Sequence, residues 1–128
     1  MLNILSVHAM CRLTISFVWF YHGLVPKLLC PHDDEIAMDM ALGLSQSHAI
    51  IFAKSAGVIE IIISFMILWF WTKKWPLYFT IFSMIGLLVF VVALQPELLV
   101  GAFNPITTNV CVISLSIIAL KNIEPSFR

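Results

Sequence analysis

The sequence predicts an all-α integral membrane protein. It reads as a single domain over residues 1–128, a transmembrane bundle of four helices with a short amphipathic helix in the first outer loop. Two observations carry this. Apolar residues make up 61% of the chain and charged residues only 11%, against roughly a quarter charged in ordinary globular domains. So few charges cannot solubilise the surface of a domain this size, and a lipid bilayer removes that need. The apolar residues also gather into four segments, each near the ~20 residues that cross ~30 Å of hydrocarbon. The formal net charge of +0 excludes nucleic acid as a partner, because that would require a basic face.

The first span covers residues 4–24 and is closed by Pro26. It lacks a basic leader region, carries Arg12 inside its apolar run and has no small-residue cleavage site after it, so it reads as a retained span and not as a signal peptide. The second span covers residues 49–71 and ends at Thr72, Lys73 and Lys74. The third covers residues 76–94, starting on Pro76, a good first-turn residue. The fourth covers residues 105–120: Pro105 disfavours helix at Asn104, so residues 98–104 read as a re-entrant or interfacial piece whose freed backbone groups must face protein or water. The one long connection lies between spans one and two. Within it, residues 31–44 look helical, with Asp33, Asp34 and Glu35 in a first turn, where acids suit the helix dipole. Ile36, Met40 and Leu44 recur at helical spacing and are expected to face the membrane or the bundle. A divalent-ion site built from His32 and the three acids is the minor reading, because consecutive helical residues do not converge.

Basic residues set the orientation. With four spans, both termini share a side with Lys73 and Lys74, and that side also collects Lys121 and Arg128, whereas Lys27 stands alone opposite. The positive-inside rule then puts both termini in the cytoplasm.

Ionisable groups inside spans cost roughly 2.5–3.5 kcal/mol each on the insertion scale, so each needs a partner or a purpose. Here they are Arg12, Lys54 and Glu60, with His8, His22 and His48 closer to the ends. Helical spacing puts His8, Arg12, Ser16, Trp19 and Gly23 on one stripe of the first span, with His22 at its edge. Ala53, Gly57, Glu60 and Ser64 form a stripe of small and polar residues on the second, which should face the bundle. Counted from the cytoplasmic ends of their spans, Arg12 and Glu60 differ in depth by ~3 Å at ~1.5 Å per residue. A buried Arg12–Glu60 pair is therefore expected, either as a device that fixes helix register or as the lining of a polar pocket for an anion, a quinone head group or a proton. A second polar layer, in the outer half, would hold His22, Lys27, His48 and Lys54, with Asn104 beside it. The polar residues of the fourth span, among them Thr107, Cys111 and Ser114, predict that it lies against other helices.

The three cysteines, Cys11, Cys30 and Cys111, are far apart, which argues against a thiol–disulfide pair. The tryptophans sit near span ends and read as an interfacial belt. Haem would want two histidines at one depth. His22 and His48 meet that condition, yet haem is the minor reading for them, and no zinc spacing or other metal site is seen. No side-chain set assembles a recognisable mechanism, so an enzyme acting alone is not expected.

The motif WFYHGLVPKLL, then Pro, Glu and Met in the outer loop, AGVIEI in the second span and FNP before the fourth, together resemble the DoxX-like family of small bacterial membrane proteins. The resemblance covers residues 12–120, with Gly23, Pro26, Lys27, Glu35, Gly57, Glu60, Asn104 and Pro105 at motif positions. It implies a four-helix bundle in the bacterial inner membrane. The family takes its name from a subunit of an archaeal thiosulfate:quinone oxidoreductase, and some relatives accompany membrane oxidoreductase assemblies. The resemblance therefore implies a membrane protein of undefined activity, with an accessory subunit or a quinone-contacting partner of a membrane redox complex as the first reading. Alternatives from other classes are a carrier or binding protein for a small solute or proton, and a structural assembly bundle. A redox protein partner and a homo-oligomer are the two assemblies these readings invoke.

Overall fold

The computed structural model describes residues 6–123, and these are all-α, with no strand among them. Helix α1 (Val7–Gly23) runs without interruption into a π-helical turn, Leu24–Leu29. A short α2 (Asp33–Ala41) follows, then α3 (Gln46–Trp69), α4 (Trp75–Leu94), a 3-10 turn at Pro96–Val100, and α5 (Pro105–Lys121). A helix forms in each of the five segments where one is expected. The first span begins at Val7 among the described residues, and Ile4 and Arg128 lie outside them.

Local chemistry explains the boundaries. The Ser6, Ser45 and Asn104 side chains accept from backbone N–H groups of the first turns of α1, α3 and α5, each satisfying one of the donors a helix start leaves open. Pro76 and Pro105 occupy first-turn positions of α4 and α5, where a missing N–H costs nothing. Pro26 does not end the first helix, contrary to expectation. Lacking its own N–H, it cannot complete an α-helical bond, and the helix widens into a π turn: Cys30 N–H donates to the Val25 carbonyl at 2.9 Å. The chain bends by 87° between this segment and α2.

Helix α1 packs on α3 and α5, and α4 packs on α5, whereas α3 and α4 barely touch. At the end away from α2, this leaves a closed core that includes Ile15, Trp19, Ile67, Leu77, Met84 and Val112. At the α2 end, the gap between α3 and α4 stays open. Helices α3 and α4 are each long and apolar enough to cross a membrane, and the bent α1–α2 pair passes the same test as one broken span. Helix α5 is apolar but shorter, at 17 residues. It buries only the face of Asn109, Val112, Ser116 and Ala119. Thr107, Cys111 and Ser114 point outward, so its polar residues are not all covered by other helices.

Candidate functional site

The seam between α1 and α3 is built from the two predicted stripes. His8, Arg12, Ser16, Trp19 and Gly23 are all buried on α1, and Ala53, Gly57, Glu60 and Ser64 on α3. Their register is antiparallel. Ser16 lies opposite Ser64, the hydroxyls 2.8 Å apart and each also donating to the other's backbone carbonyl. Gly23 lies opposite Gly57.

That register separates Arg12 from Glu60. Ser16 opposite Ser64 places Arg12 level with residues near Ile67, seven positions beyond Glu60, or ~10 Å at ~1.5 Å per residue. The expected Arg12–Glu60 pair does not form, because the two helices are offset and counting from span ends does not see the offset. The Arg12 guanidinium instead closes the C-terminus of α3. It donates to the carbonyls of Ile67 at 2.7 Å, Phe70 at 3.1 Å and Lys73, while its Nε donates to His8 Nε2 at 2.9 Å. His8 in turn stands edge-on to Trp71. The last carbonyls of a helix lack internal partners and carry the negative end of its dipole, so a fully buried cation (0% exposed) finds its counter-charge in the backbone.

Glu60 pairs with Lys27. A Cβ on Gly23 would sit 2.5 Å from the Gly57 carbonyl oxygen, and one on Gly57 would sit 2.7 Å from the Gly23 carbonyl oxygen. Only glycine at both positions lets the two backbones approach this closely. The approach brings the π turn onto α3, and Lys27 Nζ donates to Glu60 Oε1 at 2.6 Å. From above, α2 contributes Glu35, whose Oε2 is 3.4 Å from the same Nζ. Lys27 and Glu60 are 7% and 8% exposed. Within this cluster Glu60 Oε2 is buried with no hydrogen-bond partner.

Helix α2 keeps its apolar stripe only partly covered, with Ile36 and Leu44 half-buried. Met40 is exposed, and Asp39 is buried, because Lys27 below draws the acidic face in. Burial, and then the neighbouring Glu35, push the Asp39 carboxyl above its ordinary value against the opposing pull of Lys27. His32 caps this helix, its Nδ1 accepting from Asp34 N–H.

The open gap between α3 and α4 is a cavity of about 590 Å³, roofed by α2 and reaching the 3-10 turn and the start of α5. Its walls include Phe52, Ala53, Ala56, Leu87 and Phe90, and its floor carries Lys27 and Glu60. A second cavity of about 50 Å³ lies deeper, lined by Trp19, His22, Glu60 and Asn109 among others, with room for a few waters at ~15 Å³ each. Glu60 and His22 border both. Asn104 is at the rim, occupied as the α5 cap, accepting from Thr107 N–H and donating to the Gly101 carbonyl. Lys54 is exposed on α3, away from the expected layer, and His48 is exposed at its start with Ser45 as partner. Neither lines the cavity. Asp39, Thr108 and Asn109 border the cavity but were not among the candidates. Asp39 on an acidic helix reads as solvated, and Asn109 signals only as an amide in a span, here held by donating to the Met84 carbonyl at 3.2 Å.

An apolar chamber with one cation, two carboxylates in direct contact with it and an unsatisfied acceptor can seat a small amphipathic molecule by its polar end. No curated protein and no solved structure matches the chain. The model of the DoxX-like family matches residues 16–117, a stretch that contains the glycine pair, the Lys27–Glu35–Glu60 cluster and both cavities. The chain belongs to the DoxX-like family.

Proposed function

We propose that this chain is a multi-pass membrane protein that binds a small amphipathic molecule, apolar body between α3 and α4 and polar end on Lys27 and Glu60. The carrying observation is the 590 Å³ chamber with the buried Lys27–Glu60 pair at its floor. Its size lies inside the ~300–1,000 Å³ typical of ligand sites. A purely structural bundle would gain by filling that space, since interiors pack to crystal-like density. Ala56 lines the chamber from α3, so Ala56→Trp occupies it. In lipid nanodiscs, a panel of small amphiphiles should raise the Tm of the unaltered protein and leave that of Ala56→Trp unmoved. A panel that shifts neither, or both equally, defeats the proposal.

A second reading is the quinone-contacting subunit of a redox complex. It is favoured by one feature: a donor at Lys27 beside an acceptor at Glu60 matches a quinone carbonyl and a quinol hydroxyl. A short-chain quinol that shifts Tm, together with an oxidoreductase that co-purifies in mild detergent, supports this reading.

The proposed setting is the bacterial inner membrane, crossed four times by α1, α3, α4 and α5, with α2 on the outer surface and both termini in the cytoplasm. Supporting this are Lys73, Lys74 and Lys121 at the ends of α3 and α5 against an acidic α2 end. Cys30 is exposed next to α2, Cys11 is buried, and Cys111 is exposed midway along α5, where in this topology lipid covers it from an aqueous reagent. A membrane-impermeant maleimide should label intact cells, and Cys30→Ser should abolish the labelling. Labelling only after lysis would invert the topology.

A further inference from the structure

Five carboxylates border the large cavity, those of Asp34, Glu35, Asp39, Glu60 and Glu97, against the single lysine Lys27. Lys27 is already engaged with Glu35 and Glu60, and acidic side chains outnumber basic ones around the chamber even with His22 and His32 included. Low-dielectric walls focus such a field, drawing in cations and repelling anions. Most of these acids stand on α2 or at the rim and would by themselves be an ordinary solvated cluster. Glu60 is different: it is buried on α3, and its Oε2 has no hydrogen-bond partner. An acceptor left so costs ~1–3 kcal/mol, more when charged, and a charged donor placed beside it removes the deficit.

We infer that the cavity takes an organic cation, a primary or secondary amine on an apolar body, with its ammonium at the Glu60 carboxylate, which is 8% exposed. The inference names the ligand class for the binding reading above and rests on it. The walls fit this class. Phe52 and Phe90 offer aromatic faces, which attract ammonium groups and also cover an apolar body. An alcohol or quinol would satisfy the orphan oxygen and leave the charge excess uncompensated. A bare divalent ion needs six to eight oxygens at ~2.3–2.6 Å, and the described residues contain no group of three or more His, Cys, Asp or Glu placed to hold one. A carboxylate ligand would meet the acids directly.

The experiment is calorimetry on the full chain in nanodiscs with three probes of one shape: phenethylamine, phenethyl alcohol and phenylpropionate. The amine should bind at least about tenfold more tightly than the alcohol, ~1.4 kcal/mol, and the acid should give no binding heat. Glu60→Gln should bring the amine down to the level of the alcohol. Glu97→Gln, at the exposed rim, should weaken the amine by less than about threefold, as expected for a solvated charge. The comparison among probes uses the unaltered protein, so it stands even where Glu60→Gln fails to fold. An alcohol or acid that binds as tightly as the amine overturns the cation class and leaves the cavity reading in place. A folded Glu60→Gln that binds the amine undiminished also overturns it. If none of the three binds and a quinol analogue fails as well, the cavity reading falls with it.

Discussion

Arg12 and Glu60 are both charges buried in an apolar protein, and they are neutralised by different means. Arg12 is held by carbonyls of the α3 end and by His8, so its loss leaves backbone acceptors at Ile67, Phe70 and Lys73 without a donor. Arg12→Leu should lower unfolding stability by ~3–5 kcal/mol, the scale for stripping one partner from a buried charged contact, as read by denaturant titration in detergent. Glu60 depends on Lys27. A double-mutant cycle on Lys27→Met and Glu60→Gln should therefore show coupling above ~1 kcal/mol, whereas Arg12→Leu with Glu60→Gln should be additive within ~0.5 kcal/mol. Asp39 makes a pH prediction. Its folded carboxyl is raised above 3.8, so the folded state holds the proton more tightly than the unfolded chain and stability falls as pH rises through that window. Asp39→Asn should raise Tm at pH 7, and the gain should vanish below about pH 3.8, where the carboxyl is protonated in both states. A gain that persists in acid would deny the electrostatic cause.

At the scale of elements, the decisive contact is the crossing of the end of α1 and α3 at Gly23 and Gly57. An added methyl at either glycine meets the opposing backbone at 2.5 or 2.7 Å, and backbone cannot yield as a flexible side chain can. Gly57→Ala should cost ~1–3 kcal/mol, as overpacking does, and should part Lys27 from Glu60. Gly86 on α4 is the control, because nothing lies within 4 Å of its would-be Cβ. Gly86→Ala should be neutral or stabilise by up to ~1 kcal/mol, the helix-propensity difference. Thermal unfolding of the two variants side by side checks both. The stripes that meet here were legible in the sequence because helical periodicity alone fixes which residues share a face. The partner across the seam was not legible, because periodicity carries no information about how far one helix slides along another. Arg12 for that reason meets the carbonyls at the end of α3 and not Glu60.

For the whole molecule, the same limit recurs at larger size. The cavity exists because α3 and α4 diverge where α2 enters, and α2 enters acidic face first because Lys27 stands beneath it. Nothing local to α2 announces this: the spacing of Ile36, Met40 and Leu44 lets the stripe face either the membrane or the bundle, and the long-range charge turns Asp39 inward. Lys54 and His48 show the opposite error. Both are polar residues in or beside a span, yet one faces outward and the other meets only its own helix start. The motif positions fared better. Gly23, Lys27, Glu35, Gly57 and Glu60, scattered over four elements, converge on one cluster.

The amino-acid sequence by itself determined the apolar character of the chain, the helices and the buried stripes of α1 and α3, because apolar content, proline and capping chemistry, and helical spacing act within a few residues of chain. Tertiary structure alone decided which charge meets which, and that a chamber opens between α3 and α4. Both depend on axial register and on two backbones meeting at Gly23 and Gly57, and the energy that sets them comes from contacts between residues distant in the chain.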